Sequence, residues 1–288
     1  MGRIGIVTDS TCDLGPTWLG EHDVRMVPLK VIIGDRTYLD WIDFTPETFY
    51  PKLIASAKLP TTSQPSPADF SKVFAELAAD GCDEIVSIHL SAKLSGTYES
   101  ASLAAVDSRV RVRVVDSLVV SHATGLVVKA AVAARDAGGD AARVEAAALA
   151  AVGGMHLYFL LDTLDYLVKG GRAGTAAGLA ASLLNIKPIL QFNNGVIEPF
   201  KKVKGRSRAI TEAALHAAKQ SDDMGRLRVT IMHADVLPLV DEVVAALDEA
   251  GCDYELDHVG LIGSVIGTHC GPGALGLAYY PIGSNPAT

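Results

Sequence analysis

The first half of the chain alternates short apolar runs with amphipathic segments. Arg3–Asp9 is an apolar run typical of a buried strand. Thr45-Pro46 and Ser66-Pro67 each combine an N-cap residue with proline at the first helical position, which predicts two helix starts. Further strands are predicted at Arg25–Ile33, Thr37–Trp41, Glu84–His89 and Val110–Asp116, and further helices after Gly15-Pro16 and at Thr97–Val106, His122–Ala137 and Ala141–Val152. This order predicts a mostly parallel sheet between two helical layers, an α/β/α sandwich.

The second half mixes helices with a hairpin. Asn193-Asn194-Gly195 is a hairpin-turn signal between the strand patterns Lys187–Phe192 and Val196–Val203. Other predicted strands are Leu157–Leu161, Arg228–Met232, Tyr254–Gly260 and Ala274–Tyr280, and the predicted helices are a short one ending near Lys169, then Ala176–Leu184, Ser207–Gln220 and Leu237–Ala250. With a break at Gly153-Gly154, we predict an α/β protein with an N-terminal domain at 1–153 and a mixed α+β domain at 154–288.

Composition narrows the class of protein. The chain has 288 residues, of which 49% are hydrophobic and 20% charged, a mix typical of globular domains with a substantial core. Its formal net charge of -8 argues against general nucleic-acid binding, which depends on basic surfaces. Four scattered cysteines and the lack of a leader pattern at the N-terminus favour the cytoplasm. The longest uncharged apolar run, Ala146–Leu161, is too short and too interrupted to predict a membrane span.

Several kinds of site are excluded by spacing. The cysteines form no Cys-x-x-Cys pair, and His269 has no partner at metal-ligand spacing, so no metal site is predicted. The chain contains neither a Walker A sequence nor a Gly-x-Gly-x-x-Gly after its first strand, so we expect no nucleotide cofactor. Ser95 is not in a Gly-x-Ser-x-Gly elbow, which argues against a hydrolase nucleophile.

Two hydroxyl-rich segments are candidates for binding an anion. In Ser95-Gly96-Thr97, we expect Ser95 to cap a helix whose free N–H groups attract a carboxylate, while Gly96 lets a ligand approach the backbone. Thr62 and Ser63 lie in a proline-flanked segment before another helix. The simpler interpretation is that these residues only cap helices and turns.

Two further features add charge. His269 lies in a glycine-rich segment and can pair with an anion or pass on a proton near neutral pH. Arg172 and Arg206 lie in basic, glycine-containing loops that suit bidentate phosphate binding, unless they are simply solvated surface.

Taken together, these segments resemble the DegV family of bacterial fatty-acid-binding proteins. The matching segments are Val7–Leu14, Thr62–Pro67, Leu94–Tyr98, Val115–Ser117, Asp162–Leu167 running into Lys169–Arg172, Leu184–Leu190, Lys202–Arg206 and Gly267–Ala274. The resemblance implies two α/β domains and a long-chain fatty acid as ligand. It also implies that Thr62 and Ser95 hold the carboxylate with His269 beside it.

The resemblance implies a carrier rather than an enzyme acting alone. A separate ATP-dependent fatty acid kinase would phosphorylate the bound lipid, and the protein would carry the acyl phosphate towards phospholipid synthesis. Arg172 and Arg206 would meet the kinase. The supporting loop residues would be Ser63, Gly96, Thr97, Gly267 and Thr268. We expect a monomer with at most transient membrane contact.

Two other functions stay open from the sequence. One is a serine-dependent hydrolase or acyltransferase that uses Ser95 with His269. The other is a protein-interaction module in which the hydroxyl-rich loops are only caps.

Overall fold

Three β-sheets and the helices around them form the fold in the computed structural model, which describes residues 2–182 and 187–282. The strands are β1 (Arg3–Asp9), β2 (Val24–Val27), β3 (Lys30–Ile33), β4 (Arg36–Leu39), β5 (Thr61–Ser63), β6 (Cys82–His89), β7 (Arg111–Asp116), β8 (His156–Leu160), β9 (Lys187–Asn193), β10 (Val196–Val203), β11 (Leu227–His233), β12 (Tyr254–Leu261) and β13 (Leu275–Pro281). The α-helices are α1 (Gly15–Glu21), α2 (Pro46–Ala55), α3 (Pro67–Ala79), α4 (Thr97–Val106), α5 (His122–Asp136), α6 (Ala141–Gly153), α7 (Asp165–Lys169), α8 (Arg206–Met224), α9 (Pro238–Glu249) and α10 (Ser264–Cys270).

The first sheet is parallel, in the order β2-β1-β6-β7, with helices on both faces. Neighbouring residues of β1 point to opposite faces, as the period of a strand requires. Ile6 therefore packs with Leu126 of α5 and Val144 of α6, while Val7 packs with Phe70 of α3. This arrangement confirms the predicted α/β/α sandwich.

The predicted single strand Arg25–Ile33 is wrong, because the chain changes sheets within it. Val24–Val27 is an edge strand of the parallel sheet, whereas Lys30–Ile33 pairs antiparallel with β4 and β5 in a three-stranded sheet. Pro28 has no N–H to continue the ladder, and the Leu29 N–H donates to the Ser10 hydroxyl at 3.0 Å. The third strand of this three-stranded sheet is Thr61–Ser63, a segment that the sequence predicted as a loop.

The third sheet is mixed, in the order β10-β9-β8-β13-β11-β12, and only the β11–β12 pair is parallel. The predicted hairpin is confirmed, with Gly195 at a φ of 84° in its turn. The predicted helix Ala176–Leu184 is instead a 3-10 helix over Gly174–Ser182. Residues 183 and 184 of the predicted helix lie outside the described part of the chain, as does the start of the matching segment Leu184–Leu190. The C-terminal mixed α+β arrangement is confirmed.

The chain passes from the first sheet to the third at the predicted break. Helix α6 ends at Gly153, and β8 begins at His156. The largest apolar cluster nevertheless combines residues of both halves, such as Leu29 and Phe49 with Leu157 and Val265. We retain the division into 1–153 and 154–288 as a proposal. Among the described residues, no helix is long and apolar enough to cross a bilayer.

Asp9, at the end of β1, organises a fully buried polar cluster. Its carboxylate accepts hydrogen bonds from the backbone N–H groups of Thr11 at 3.0 Å and Leu90 at 3.1 Å. It also accepts the Thr11 hydroxyl at 2.5 Å and lies 3.0 Å from Nδ1 of His89, and the Asp9 and His89 side chains are 0% exposed. Because Asp9 ends β1 and His89 ends β6, these bonds hold the carboxyl ends of the two strands together.

We expect Asp9→Ala to lower the free energy of unfolding by about 3–5 kcal/mol, since it leaves several buried donors without an acceptor. Denaturant unfolding monitored by circular dichroism measures the change. Asp136→Ala is the matched control, because this exposed carboxylate pairs only with its neighbour Arg135, and it should cost less than about 1 kcal/mol. Equal effects of the two substitutions would contradict the central role of Asp9.

Candidate functional site

A cavity of about 330 Å³ lies between the third sheet and the elements of the first half. Most of its lining is apolar and comes from strands of the third sheet, from α10 and from the loops after β2 and β6. The apolar lining residues include Leu29, Leu90, Leu94, Val120, Leu157, Phe159, Leu161, Leu167, Phe192, Ile197, Met232, Ile262, Val265, Ile266, Ala274 and Leu275. Such a lining suits a hydrophobic ligand.

A group of polar side chains, which we call the polar wall, forms one part of the lining. Its members come from β5 and the residue after it, from the loop before α4, from the loop after α7 and from α10. They are Thr62, Ser63, Gln64, Ser95, Arg172 and His269. Ser63 and Gln64 are exposed, and the other four are half-buried. The polar wall therefore lies where the cavity meets solvent.

Thr62 and His269 form the link between the two halves in this wall. The Thr62 hydroxyl and Nε2 of His269 are 2.7 Å apart. Among the residues that the structure describes, the buried Nδ1 of His269 has no hydrogen-bond partner, and it faces Gly170, where any Cβ would collide with it. Burial, reinforced by the positive charge of Arg172, lowers the pKa of His269 to about 4. The imidazole is therefore neutral at physiological pH.

His269 lines the cavity, but its local setting is more than the glycine-rich segment seen in the sequence. It lies in the last turn of α10, and a strand follows. The helix C-terminus would favour a protonated imidazole. Burial has the larger effect and lowers its pKa.

Ser95 belongs to the wall but does not cap α4. The N-cap is Gly96, and the Ser95 hydroxyl lies 2.9 Å from the Thr97 hydroxyl. The Gly96 N–H donates to the side-chain oxygen of Gln64 at 3.0 Å, and the amide of Gln64 donates to Ser100 at 3.2 Å. Gln64 thus occupies a donor that the sequence analysis had left for a ligand.

Gln64 connects two parts of the polar wall, a role that no motif in the sequence indicated. Its side chain joins the β5 segment to the loop before α4, so it holds Thr62 and Ser95 in one wall. The only sequence signal was the concentration of hydroxyl and amide groups between the prolines of 60–67.

Other supporting residues from the sequence analysis lie behind the lining. Thr97 is buried at the start of α4. Gly267 packs against Phe49 and Tyr50 of α2, where a Cβ would lie 2.9 Å from each ring system. The Thr268 hydroxyl donates to the Ser264 carbonyl at 2.8 Å within α10. Gly267 and Thr268 therefore help to position the helix that carries His269.

The two arginines are separated. Arg172 lines the cavity, and its guanidinium donates to the Gly170 carbonyl at 2.6 Å and to the Leu94 carbonyl at 3.4 Å. Arg206, at the start of α8, forms an ion pair with Asp162 and is not among the lining residues. The geometry therefore gives Arg172 access to a bound headgroup and leaves Arg206 outside the cavity.

A second polar contact of the cavity was missed. Ser121 lines it and donates its hydroxyl to the buried carboxyl of Asp13 at 2.5 Å. That carboxyl also accepts the N–H of Gly263 at 3.0 Å. Burial, together with the nearby Asp40, raises the pKa of Asp13 to about 8. Burial therefore favours the neutral form of Asp13 beside the apolar space.

Ser95 and His269 are engaged with different threonines, which bears on the hydrolase hypothesis. Nucleophilic catalysis needs the serine hydroxyl bonded to the base. Here the imidazole is hydrogen-bonded to Thr62, and the Ser95 hydroxyl is hydrogen-bonded to Thr97.

Within residues 2–182 and 187–282, no three His, Cys, Asp or Glu side chains are placed to hold a metal ion.

Comparison with known proteins identifies the family of this chain. The model of the family described as "Uncharacterised protein, DegV family" matches residues 3–282. A DegV domain-containing protein of Streptomyces coelicolor is 36% identical over 275 residues, covering 96% of this chain and 97% of that protein.

Two solved structures share the fold. One, described as showing fatty acid binding by a DegV family protein from Thermus thermophilus, has a TM-score of 0.89 and 36% identity and covers 97% of this chain and 100% of that chain. The other, a stearic-acid-binding protein from Eubacterium ventriosum, has a TM-score of 0.86 and 28% identity, with 97% and 98% covered. With its whole fold and nearly all of its length matched, this chain belongs to the DegV family.

Proposed function

We propose that this chain binds a long-chain fatty acid in the cavity, with the carboxylate at the polar wall. The observation that carries the proposal is the apolar cavity, which has hydroxyl groups and a neutral imidazole at the part of its lining that meets solvent. The fatty-acid and stearic-acid binding described for the two solved relatives supports it.

The apolar lining supplies the affinity for the tail. Each buried methylene contributes about 0.8 kcal/mol, so a long acyl chain is held without any charged side chain. The buried aliphatic residues along the cavity, such as Leu157 and Leu161, match this requirement. A short or strongly polar ligand would gain little from the same surface.

Thr62 and Ser95 supply donors for the carboxylate. If Nε2–H of His269 donates to the Thr62 oxygen, the Thr62 O–H is free to donate to the ligand. This tautomer leaves Nδ1 as an acceptor, a form in which burial without a partner costs less than for an N–H donor. Hydroxyl groups also avoid the desolvation cost of a fully buried ion pair.

The same geometry supports a carrier that acts with a separate ATP-dependent kinase. Hydroxyl donors leave a carboxylate oxygen free to accept a phosphoryl group, and the exposed Ser63 and Gln64 place the headgroup near solvent. Arg206 lies outside the cavity, where it can meet a negatively charged partner surface. We propose that the chain then carries the acyl phosphate towards phospholipid synthesis as a monomer, and that it is not itself an enzyme.

We expect Thr62→Val and Ser95→Ala each to weaken fatty-acid binding about 10- to 150-fold, because a hydrogen bond to a charged group contributes about 1.5–3 kcal/mol. Calorimetric titration of delipidated protein with oleate measures the effect. Thr62→Ser keeps the hydroxyl and should retain most of the affinity. Ser71→Ala, whose hydroxyl donates to a carbonyl within α3, is the control outside the cavity. Unchanged affinity in both hydroxyl-deleting variants would contradict the headgroup assignment.

We expect His269 to titrate near pH 4 in the lipid-free protein and at higher pH once a fatty acid is bound, because a nearby carboxylate favours the protonated imidazole. Because its pKa rises, binding takes up protons and strengthens as the pH falls through the raised value towards 4. NMR titration of the imidazole signals, assigned with His269→Asn, follows both states. An identical titration with and without oleate would place the carboxylate elsewhere.

We expect Arg206→Ala to slow phosphorylation of the bound lipid by the kinase while leaving oleate affinity unchanged, because Arg206 is not part of the cavity. Arg172→Ala should lower both, since Arg172 lines the cavity. The paired measurements are acyl phosphate formation with purified kinase and calorimetric oleate binding. A loss of oleate affinity in Arg206→Ala would contradict this separation of roles.

A further inference from the structure

Three residues lie side by side in the part of the cavity lining that the third sheet forms, which we call the floor. Gly276 on β13 is opposite Phe159 on β8 and opposite Met232 on β11. All three line the cavity. Because Gly276 has no side chain, the floor has a gap between the phenyl ring of Phe159 and the side chain of Met232.

Met232 covers that gap. A Cβ at position 276 would lie 2.7 Å from Cγ of Met232 and 3.1 Å from its sulfur. Gly276 is not among the glycines with positive φ, so its backbone conformation is open to any residue. The requirement for glycine here therefore comes from the space that Met232 occupies.

Met232 is a buried part of the cavity lining. It is 3% exposed, and Gly276 is also buried, whereas the polar wall contains exposed residues. With the carboxylate at the polar wall, the buried Met232 would face the apolar tail of the ligand. Methionine is unbranched and has three rotatable bonds, so it can change shape against an apolar surface at little cost.

We propose that Met232 is the residue that sets the acyl-chain length this cavity accepts, and that the missing side chain at Gly276 gives it room to lie away from the lipid. The inference rests on the proposed fatty-acid binding and adds its length selectivity. A methyl group at position 276 displaces Met232 into the cavity and shortens the space for the tail. Truncation of Met232 lengthens that space.

The test is a series of saturated fatty acids from 12 to 20 carbons, titrated into delipidated wild-type, Gly276→Ala and Met232→Ala protein. Gly276→Ala should move the preferred length down by about one to two carbons, with affinity about fourfold weaker for each methylene not accommodated. Met232→Ala should move it up. The double variant should reverse the effect of Gly276→Ala, because the displaced side chain is gone.

Controls separate this inference from the function beneath it. Gly20→Ala, in α1 with nothing within 4 Å of its added Cβ, should leave the length profile unchanged. Met232→Val provides a milder truncation, with a smaller upward shift, if Met232→Ala does not fold. If the wild type binds no fatty acid of any length, the proposed function fails. If the wild type binds but the folded Met232 and Gly276 variants keep its length profile, only the role of Met232 is overturned.

Discussion

The placement of α10 is the constraint on which the candidate site depends. This seven-residue helix belongs to the second half of the chain, and the first half holds it from several sides. The Tyr50 hydroxyl donates to the Ile262 carbonyl at 2.9 Å just before the helix, and Asp13 accepts the Gly263 N–H. Thr62 then contacts His269 in the last turn. Without these contacts the imidazole would not reach β5, and the polar wall would lose His269.

Burial opposes formal charge beside the cavity. It lowers the pKa of His269 and raises the pKa of Asp13, so each side chain favours its neutral form. Arg172 supplies positive charge, and it is only partly buried. A ligand with one anionic end and a long apolar remainder fits this distribution, because its tail meets no charge and its head meets hydroxyl groups near solvent.

The structure also separates features that the sequence presented together. Two basic loops looked equivalent, yet one arginine lines the cavity and the other forms an ion pair with Asp162 outside it. Ser95 and His269 looked like a nucleophile and its base, yet each is bonded to a threonine. The partners of Arg206 and His269 are distant in sequence, Asp162 and Thr62, so spacing alone could not decide them.

Local signals in the sequence determined much of the fold. Buried-strand patterns, N-caps and the Asn-Gly turn act over a few residues, and they correctly predicted β1, α2, α3, α4 and the β9–β10 hairpin. The matching segments identified the family and singled out Thr62, Ser95 and His269. The break between β2 and β3, the strand at Thr61–Ser63 and the role of Gln64 were decided only by tertiary structure. The last two depend on a hydrogen-bond partner about thirty residues away, the β3 strand for β5 and the Gly96 N–H for Gln64, and the energy of such a contact has no local signature.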